Sequence, residues 1–594
     1  MNNHFARPIV QHRHRLQVGG WLVIGSLLLG SGGRAMAGGP ADPLLGLVAP
    51  DSSVVLAVED LRTRAKRVEA STLDDDLKRL PLVASWLGST RFDQFRRSTT
   101  HIEAGLGVPF RTVDDEILGD AFVVVLQTDP GGAVDRSSGL VLIKPRGPKL
   151  LERLIATRNA ALTRQGILIQ ITTHRQGAYS YQTRSFKPGV RPDDHSVSFE
   201  DGTFAWSNSE ASILEVIDRR AGTRPGFGTS PGVAALRAGL PDKALASLFI
   251  DPSVIAEALG TSRLASSSTR RHINAIASKY LGAARKIGFA VEYRDGFVFH
   301  SHEVLDPSEL PDWLRSWMAR PSKPSPLLGL IPASAIGVVS ARFDFAKALG
   351  VVRLLVEDED RDLWETAEQA AQGLALGQPL DDLLPQVEPH VLLSIGPKTS
   401  PNPWDWCGLV GAAAWVDSNK PRPAWVAVDN AFKTAMASFA LRPYRRSFHV
   451  RVGTEEKNGR PIMKLGPGSL SVLAYQSTSD HLIVGNSPEA VGEFAESTGF
   501  STSTSRLAAI REKYAADSET FTVFDLPRLV EAVLRSRNLI VRDLANRSGR
   551  PAAEVDRDLG HVLSLARLFR VAVATSNANQ DATEVHRTFG LIAR

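Results

Sequence analysis

The chain has 594 residues and only one cysteine, Cys407. No intramolecular disulfide can form, so the fold depends on its hydrophobic cores. Cys407 lies in the apolar, strand-like run WDWCGLVGAAAWV. This setting favours a buried structural thiol over a reactive nucleophile.

The sequence also lacks the common motifs of catalysis and cofactor binding. It contains no P-loop, no dinucleotide fingerprint in a strand–helix context, no HExxH and no CxxC. We therefore expect no cofactor, and a non-catalytic protein is the favoured interpretation.

Long basic segments are absent as well. The formal net charge is +5, with 69 Lys and Arg against 64 Asp and Glu. Four arginines and no acids lie in the first 37 residues, which leaves 5 − 4 = +1 for the remainder. Short basic clusters mixed with acids are typical of solvated surfaces, so nucleic acid is not an expected partner.

Residues 1–37 have the pattern of a secretory signal peptide. Three arginines precede a short apolar segment that begins at Trp21, and Ala35-Met36-Ala37 supplies a small-x-small cleavage site. The apolar segment is short and glycine-rich for a permanent span, although an uncleaved anchor is the alternative. We expect an exported protein, periplasmic or secreted, with no membrane span after cleavage.

The rest of the chain contains two related halves. LLGLVAPDSSVVLAVEDL at 44–61 returns as LLGLIPASAIGVVSARFDF at 327–345. Three further segments repeat in the same order: 113–118 with 380–385, the strand–Asn–Ser–helix segments from Gly202 and Asp480, and the strand–Asp–Pro–helix segments from Leu245 and Thr520. Four matches in order indicate a tandem duplication.

The predicted fold class is α+β, with two tandem homologous domains that each contain a mainly antiparallel sheet and packed helices. The predicted boundaries are 1–37 for the signal, 38–305 for the first domain, 306–326 for a Pro-rich linker and 327–594 for the second domain. Asp201-Gly202 and Asp295-Gly296 each join two strand-like runs, which predicts hairpins and therefore antiparallel pairing.

GTSPG at 228–232 matches the G-x-S-x-G pattern, in which Ser230 would be a hydrolase nucleophile. That mechanism needs a strand before the serine and a helix after it. A loop-like segment precedes Ser230 and Pro231 follows it, so we interpret Ser230 as a helix N-cap. Thr504 takes the corresponding position in the second half. A serine hydrolase that uses Ser230 remains one alternative function.

His300 and His302 lie two residues apart on a predicted strand, so they share a face and form a candidate metal pair. The sequence does not identify a third ligand. The second half has His586 opposite His300 but Thr588 opposite His302. Two polar residues on an exposed hairpin face are the favoured interpretation, and metal binding by His300 and His302 is the other alternative.

Two acidic pairs, Asp114-Asp115 and Asp381-Asp382, occur at corresponding places in the halves. Neighbouring residues diverge in direction on a strand or a helix, so neither pair forms a catalytic couple by itself. We predict that both pairs provide negative charge at a helix N-terminus.

The signal segment, the opening from Pro50-Asp51 to Asp60 and the strand–Asp–Pro–helix step at 249–255 resemble a family of uncharacterised secreted bacterial proteins, known only as a domain of unknown function. The resemblance covers most of the mature chain, and Ala333 departs from it in the second half. It implies export, but no activity and no catalytic residues. The favoured function is thus a non-catalytic binding or structural protein of the cell envelope, whose partner is an envelope protein or polymer.

Overall fold

A computed structural model describes residues 41–63, 66, 71–118, 120–128, 137–242, 244–253, 277–293, 296–318, 326–356, 361–398, 407–416, 423–441, 450–457, 459–467, 473–496, 506–516, 518, 520–579 and 583–593. The predicted signal at 1–37 and Thr504 lie outside these residues. The described chain is α+β and divides into two compact units. The first unit is Met1–Glu257 with Lys286–His300, and the second is Ala258–Arg285 with Ser301–Arg594.

The first unit is built on an antiparallel sheet. Its described strands are β1 Val54–Glu59, β2 Ala121–Gln127, β3 Ser138–Lys144, β4 Leu168–Gln176, β5 Tyr179–Phe186, β6 Asp194–Ser198, β7 Phe204–Ser207, β8 Ala246–Ile250, β9 Ala284–Tyr293 and β10 Gly296–Leu305. They pair in the order β4-β5-β6-β7-β3-β2-β1-β8-β9-β10, and the last two cross the boundary between the units. The predicted antiparallel pairing is therefore confirmed.

The described helices of the first unit are Asp42–Leu45, Thr72–Arg79, Pro81–Leu87, Thr90–Leu106, Phe110–Ile117, Pro148–Arg164, Glu210–Arg220 and Pro231–Ala238. Glu210–Arg220 packs on β6 and β7. Its Ile213, Val216 and Ile217 follow helical spacing and are fully buried, and such side chains each stabilise the fold by about 1.5–3 kcal/mol.

The second unit contains further strands of the same antiparallel sheet. Its described strands are β11 Gly337–Ala341, β12 Val387–Gly396, β13 Gly408–Trp415, β14 Val450–Lys457, β15 Arg460–Pro467, β16 Leu473–Ser477, β17 His481–Gly485, β18 Thr520–Asp525, β19 Phe569–Ala578 and β20 Glu584–Ala593. They pair in the order β14-β15-β16-β17-β13-β12-β11-β18-β19-β20. β20 also pairs with β10, whose residues 301–305 belong to this unit.

The described helices of the second unit are Asp312–Met318, Phe345–Leu355, Arg361–Leu374, Leu380–Leu383, Ala424–Leu441, Pro488–Glu496, Arg506–Ala515, Leu526–Arg535, Arg537–Ser548 and Ala552–Ala566. Residues 306–318 of the predicted linker belong to this unit, where Leu310 and Leu314 are buried. Cys407 is buried just before β13, as predicted.

One hairpin shows how local sequence determines a turn. Asp201 and Gly202 connect β6 to β7, and Gly202 has φ +83°, a conformation that glycine adopts without steric cost. The Asp201 carboxylate accepts hydrogen bonds from the backbone N–H and hydroxyl of Thr203 and from Lys144 Nζ. Burial raises the pKa of Asp201, but these donors outweigh it and lower the pKa to about 2. The predicted hairpin is confirmed.

An asparagine makes equivalent backbone hydrogen bonds in each of the two units. Asn208 Oδ1 accepts from the Gly139 backbone N–H at 2.7 Å, and its Nδ2 reaches the Ser137 carbonyl at 3.5 Å. The following residue, Ser209, is the N-cap of helix Glu210–Arg220, as its position in the Asn-Ser pair predicts.

The equivalent in the second unit is Asn486. Its Oδ1 accepts from the Leu409 backbone N–H at 2.9 Å, and its Nδ2 donates to the Cys407 carbonyl at 2.8 Å. Ser487 then accepts from the Ala490 N–H at the start of helix Pro488–Glu496. Each asparagine thus ties the end of one strand to the beginning of its neighbour.

Candidate metal centre

Strand β20 carries two metal-ligating side chains with the spacing of one strand face. Glu584 and His586 are two residues apart, so they project to the same side of the sheet. β10 pairs with β20 and brings His302 to the same place. All three residues belong to the second unit. We refer to His302, Glu584 and His586 as the His302 cluster.

The three side chains lie close together. His302 Nε2 lies 3.7 Å from Glu584 Oε2, and His586 Nε2 lies 3.8 Å from the same oxygen. The two imidazole rings are stacked, with centroids 3.9 Å apart and planes inclined by 14°. One ligand atom from each residue lies within 4.8 Å of the others.

These separations are close to those of a metal site. Ligand bonds of about 2.0–2.1 Å in a tetrahedral arrangement place donor atoms about 3.3 Å apart. The two separations from Glu584 Oε2, 3.7 and 3.8 Å, exceed this value by less than 1 Å. The imidazole rings must turn out of their stacked arrangement to direct both nitrogens at one ion. The donor set is thus of a type that can hold one metal ion after this rearrangement.

The cluster is buried on one side and open on the other. The His302 side chain is 1% exposed, whereas those of Glu584 and His586 are 42% and 40% exposed. An ion can therefore enter from the solvent side, with His302 at the inner end of the site.

The opposite face of the same strands holds a polar network. Arg587 Nη1 and the Tyr280 hydroxyl each donate to a different oxygen of the buried Glu303 carboxylate. Arg587 Nη2 also donates to the Tyr280 oxygen at 3.1 Å. Burial raises the pKa of Glu303, and Arg587 opposes that rise. Because Glu303 follows His302 and Arg587 follows His586, this network holds the two strands that carry the cluster.

The favoured interpretation, two polar residues on an exposed hairpin face, is wrong for His302, whose side chain is 1% exposed because β10 pairs with β20. The structure also groups His302 differently from the metal pair that was the alternative. His300 belongs to the first unit, where its Nε2 lies 3.5 Å from Glu292 Oε2. The three-residue group contains His302 but not His300. His302 was thus singled out by the sequence, while its partners come from a strand more than 280 residues later.

Glu584 is the member of the His302 cluster that sequence analysis missed. The signal was present as Glu-x-His at 584–586, in a segment where His586 had already been noted. A glutamate and a histidine on one strand face indicate a metal site only when the pairing of β20 with β10, which adds His302, is known.

Ser230 lies at a helix start. It occupies the N-cap position of helix Pro231–Ala238, with proline at the first helical position, as predicted, but its side chain makes no capping hydrogen bond. The preceding element is the 3-10 helix Phe227–Thr229 rather than a strand. The strand–turn–helix context that a nucleophile elbow requires is therefore not formed at Ser230.

The first acidic pair does not lie where the sequence predicted. Asp114 and Asp115 occupy the second half of helix Phe110–Ile117, so their assignment to a helix N-terminus is wrong. The buried Val113 and Ile117 are four residues apart and extend the helix over the whole segment. Burial raises the pKa of Asp114, and the neighbouring Asp115 raises it further.

The second acidic pair is placed as predicted. Asp381 and Asp382 lie in the first turn of helix Leu380–Leu383. Arg353 donates to both oxygens of Asp381, at 2.7 and 3.0 Å, and these hydrogen bonds lower the pKa of Asp381. Asp381 thus belongs to a surface ion network with Arg353 and Glu368.

No family model, curated protein or solved structure matches this chain. The resemblance to a family of secreted bacterial proteins therefore stays a prediction. Within the part of the chain that the structure describes, no helix has the length and hydropathy of a membrane span.

Proposed function

We propose that this protein binds a divalent first-row transition-metal ion at the His302 cluster. The observation that carries the proposal is the convergence of three ligand atoms, from two paired strands, within 4.8 Å. Two imidazole nitrogens and one carboxylate oxygen form the donor set. Imidazole favours zinc, copper, nickel, cobalt and iron, whereas calcium and magnesium favour oxygen ligands alone.

We further propose that the protein acts as an exported, non-catalytic binding component of the bacterial cell envelope. The arginine-led apolar segment and the Ala35-Met36-Ala37 site support export. N-terminal sequencing of protein recovered from the periplasm or the medium tests this proposal. The mature chain is expected to begin at Gly38, and a chain that retains residues 1–37 would contradict cleavage.

We also propose that the two units are homologous domains that arose by tandem duplication. Strands β1–β10 and strands β11–β20 of the sheet pair in the same order when the two series are matched. The residue registers agree as well: Val54 pairs with Leu126 and Ile250, and Gly337 pairs with Ile395 and Phe524. The residues after Ile250 and Phe524 are Asp251 and Asp525, the aspartates that were matched from sequence alone.

Asn208 and Asn486 support the duplication independently, because they make the same two backbone contacts at matched positions. An experimental structure in which the two strand orders differ would contradict it.

The duplication also predicts how many metal ions each chain binds. If His586 corresponds to His300, then Glu584 corresponds to Val298 and His302 to Thr588. Of the three corresponding residues, Val298, His300 and Thr588, only His300 has a side chain that commonly ligates metals. We accordingly expect one ion per chain.

Metal analysis of purified residues 38–594 tests the metal proposal. After chelator treatment and dialysis against Zn²⁺, elemental analysis is expected to find one zinc per chain. In calorimetric titration, Glu584→Gln and His586→Ala are expected to weaken zinc binding by at least about 100-fold, because changes to groups that merely orient ligands already cost 10–100-fold. Glu584 and His586 are partly exposed, so both variants should fold.

His300→Ala is the matched control, since His300 lies two residues from His302 on the same strand. Its zinc affinity is expected to stay within about threefold of the wild type. Loss of binding in His300→Ala would favour the pair His300 and His302. Wild-type affinity in both ligand variants would overturn the proposed centre.

A further inference from the structure

We infer that an ion bound at the His302 cluster keeps a solvent-facing coordination position, and that this position takes a small monodentate anion. The inference rests on the proposed metal function and specifies what the metal centre itself can bind. Three features of the cluster carry it: the number of donors, the direction of solvent and the net charge.

The cluster supplies three protein ligands. Among the described residues, no fourth His, Cys, Asp or Glu joins the group. Closed structural zinc sites have four protein ligands, whereas sites with three keep a fourth position for water or another ligand. A tetrahedral ion held by His302, Glu584 and His586 therefore retains one position for an exchangeable ligand.

The exposure of the three side chains shows where that position faces. His302 is 1% exposed and occupies the inner end of the cluster. Glu584 and His586 are about 40% exposed and form its outer rim. The remaining position of the ion consequently points to the side from which solvent reaches Glu584 and His586.

The net charge favours an anion. A divalent ion with two neutral imidazoles and one carboxylate carries a net charge of +1. Arg587, next to His586 in sequence, is paired with Glu303 on the opposite face of the strands, so these two charges cancel. An anion that enters the open position neutralises the centre. The exchange is a simple substitution in which the anion binds the metal and a water molecule leaves.

Cobalt substitution tests the inference, because the visible absorption of Co²⁺ reports changes in its coordination. Residues 38–594 are loaded with one equivalent of Co²⁺ in chloride-free buffer and titrated with sodium azide, with weakly coordinating sodium perchlorate at equal ionic strength as the blank. We expect a saturable change in the visible bands at one azide per cobalt. Acetate is expected to compete with azide, since a carboxylate has the same charge and can bind a metal through one of its two oxygens.

The outcomes separate the two proposals. If Co²⁺ binds and neither azide nor acetate alters its spectrum, the centre is closed and this inference is wrong, while the metal function stands. If Co²⁺ and Zn²⁺ both fail to bind to the wild-type protein, both proposals are wrong. The His300→Ala variant should reproduce the wild-type azide titration, and a lost response there would place the open position elsewhere.

Discussion

Replacing Asp194 by alanine is expected to destabilise the first unit by about 3–5 kcal/mol, the usual cost of leaving a buried charge without its partner. Asp194 and Arg184 have side chains that are 1% and 3% exposed, and Arg184 Nε donates to Asp194 Oδ1 at 2.7 Å. Arg191 Nη2 donates to the second oxygen at 2.5 Å. The variant therefore leaves two arginines facing an empty carboxylate position.

In the Asp194→Ala variant, the Arg184 guanidinium stays buried without its carboxylate partner. Its Nη2 donates to the buried Ser196 Oγ at 2.6 Å, which holds the guanidinium between β5 and β6. Burial lowers the pKa of Arg184, and Asp194 acts against that effect. Arg191 is one quarter exposed, so it can regain hydration more easily than Arg184.

Calorimetric unfolding of the Asp194→Ala variant measures the loss of stability, and hydrogen exchange of β5 and β6 assigns that loss to this network.

Asp193→Ala is the matched control. Asp193 is an exposed neighbour that accepts from Ser185 Oγ and the Phe186 N–H, so its removal should cost about 1 kcal/mol. The double variant Arg184→Met with Asp194→Leu should regain most of the stability, because no buried charge remains at these positions. A cost below about 1 kcal/mol for Asp194→Ala would contradict the prediction.

A second large effect is expected from pH and concerns His390 in the second unit. His390 lies on β12 and is buried beside Ser340 of β11, with Ser340 Oγ 2.7 Å from His390 Nε2. Burial lowers the pKa of His390 to about 4, and the positive charge of Arg342 adds to the effect. The imidazole is thus neutral in the native state at neutral pH.

The direction of the pH effect follows from the two pKa values. An unfolded histidine takes up a proton near pH 6.5, whereas native His390 does so near pH 4. Between these values the unfolded state binds more protons, so native stability falls as the pH falls from about 6.5 to about 4 and then levels off. The expected loss is about 3 kcal/mol.

The difference in unfolding free energy between the wild type and His390→Gln, measured from pH 8 to pH 4, isolates this contribution from other titrating groups. The difference is expected to shift in favour of the glutamine variant by about 3 kcal/mol on acidification. Ser340→Ala keeps the imidazole and should keep the wild-type slope. A pH-independent difference between the wild type and His390→Gln would show that His390 is not held neutral by burial.

Local features of the fold were predictable because they depend on neighbouring residues. Strand β2, Ala121–Gln127, follows from its own sequence, since alternating apolar residues bury one face. The N-cap at Ser209 and the Asp201-Gly202 hairpin follow equally from local hydrogen bonding and glycine geometry. Asp114 and Asp115 were misplaced because the buried side chains of their helix, rather than its charges, determine where it begins.

The candidate site was predictable only in part. His302 was an alternative metal ligand rather than the favoured interpretation, and its spacing suggested His300 as its partner because the two lie on one strand. Glu584 and His586 join His302 through strand pairing across more than 280 residues. No local pattern encodes such a pairing.

The sequence by itself determined the α+β class, the antiparallel hairpins and the helix caps, because hydrophobic periodicity and turn chemistry act within a few residues. The tertiary structure decided which polar groups meet: His302 with Glu584 and His586, Arg184 with Asp194, and Ser340 with His390. These contacts depend on which strands pair and in what register, and a shift by one residue would turn each side chain to the opposite face.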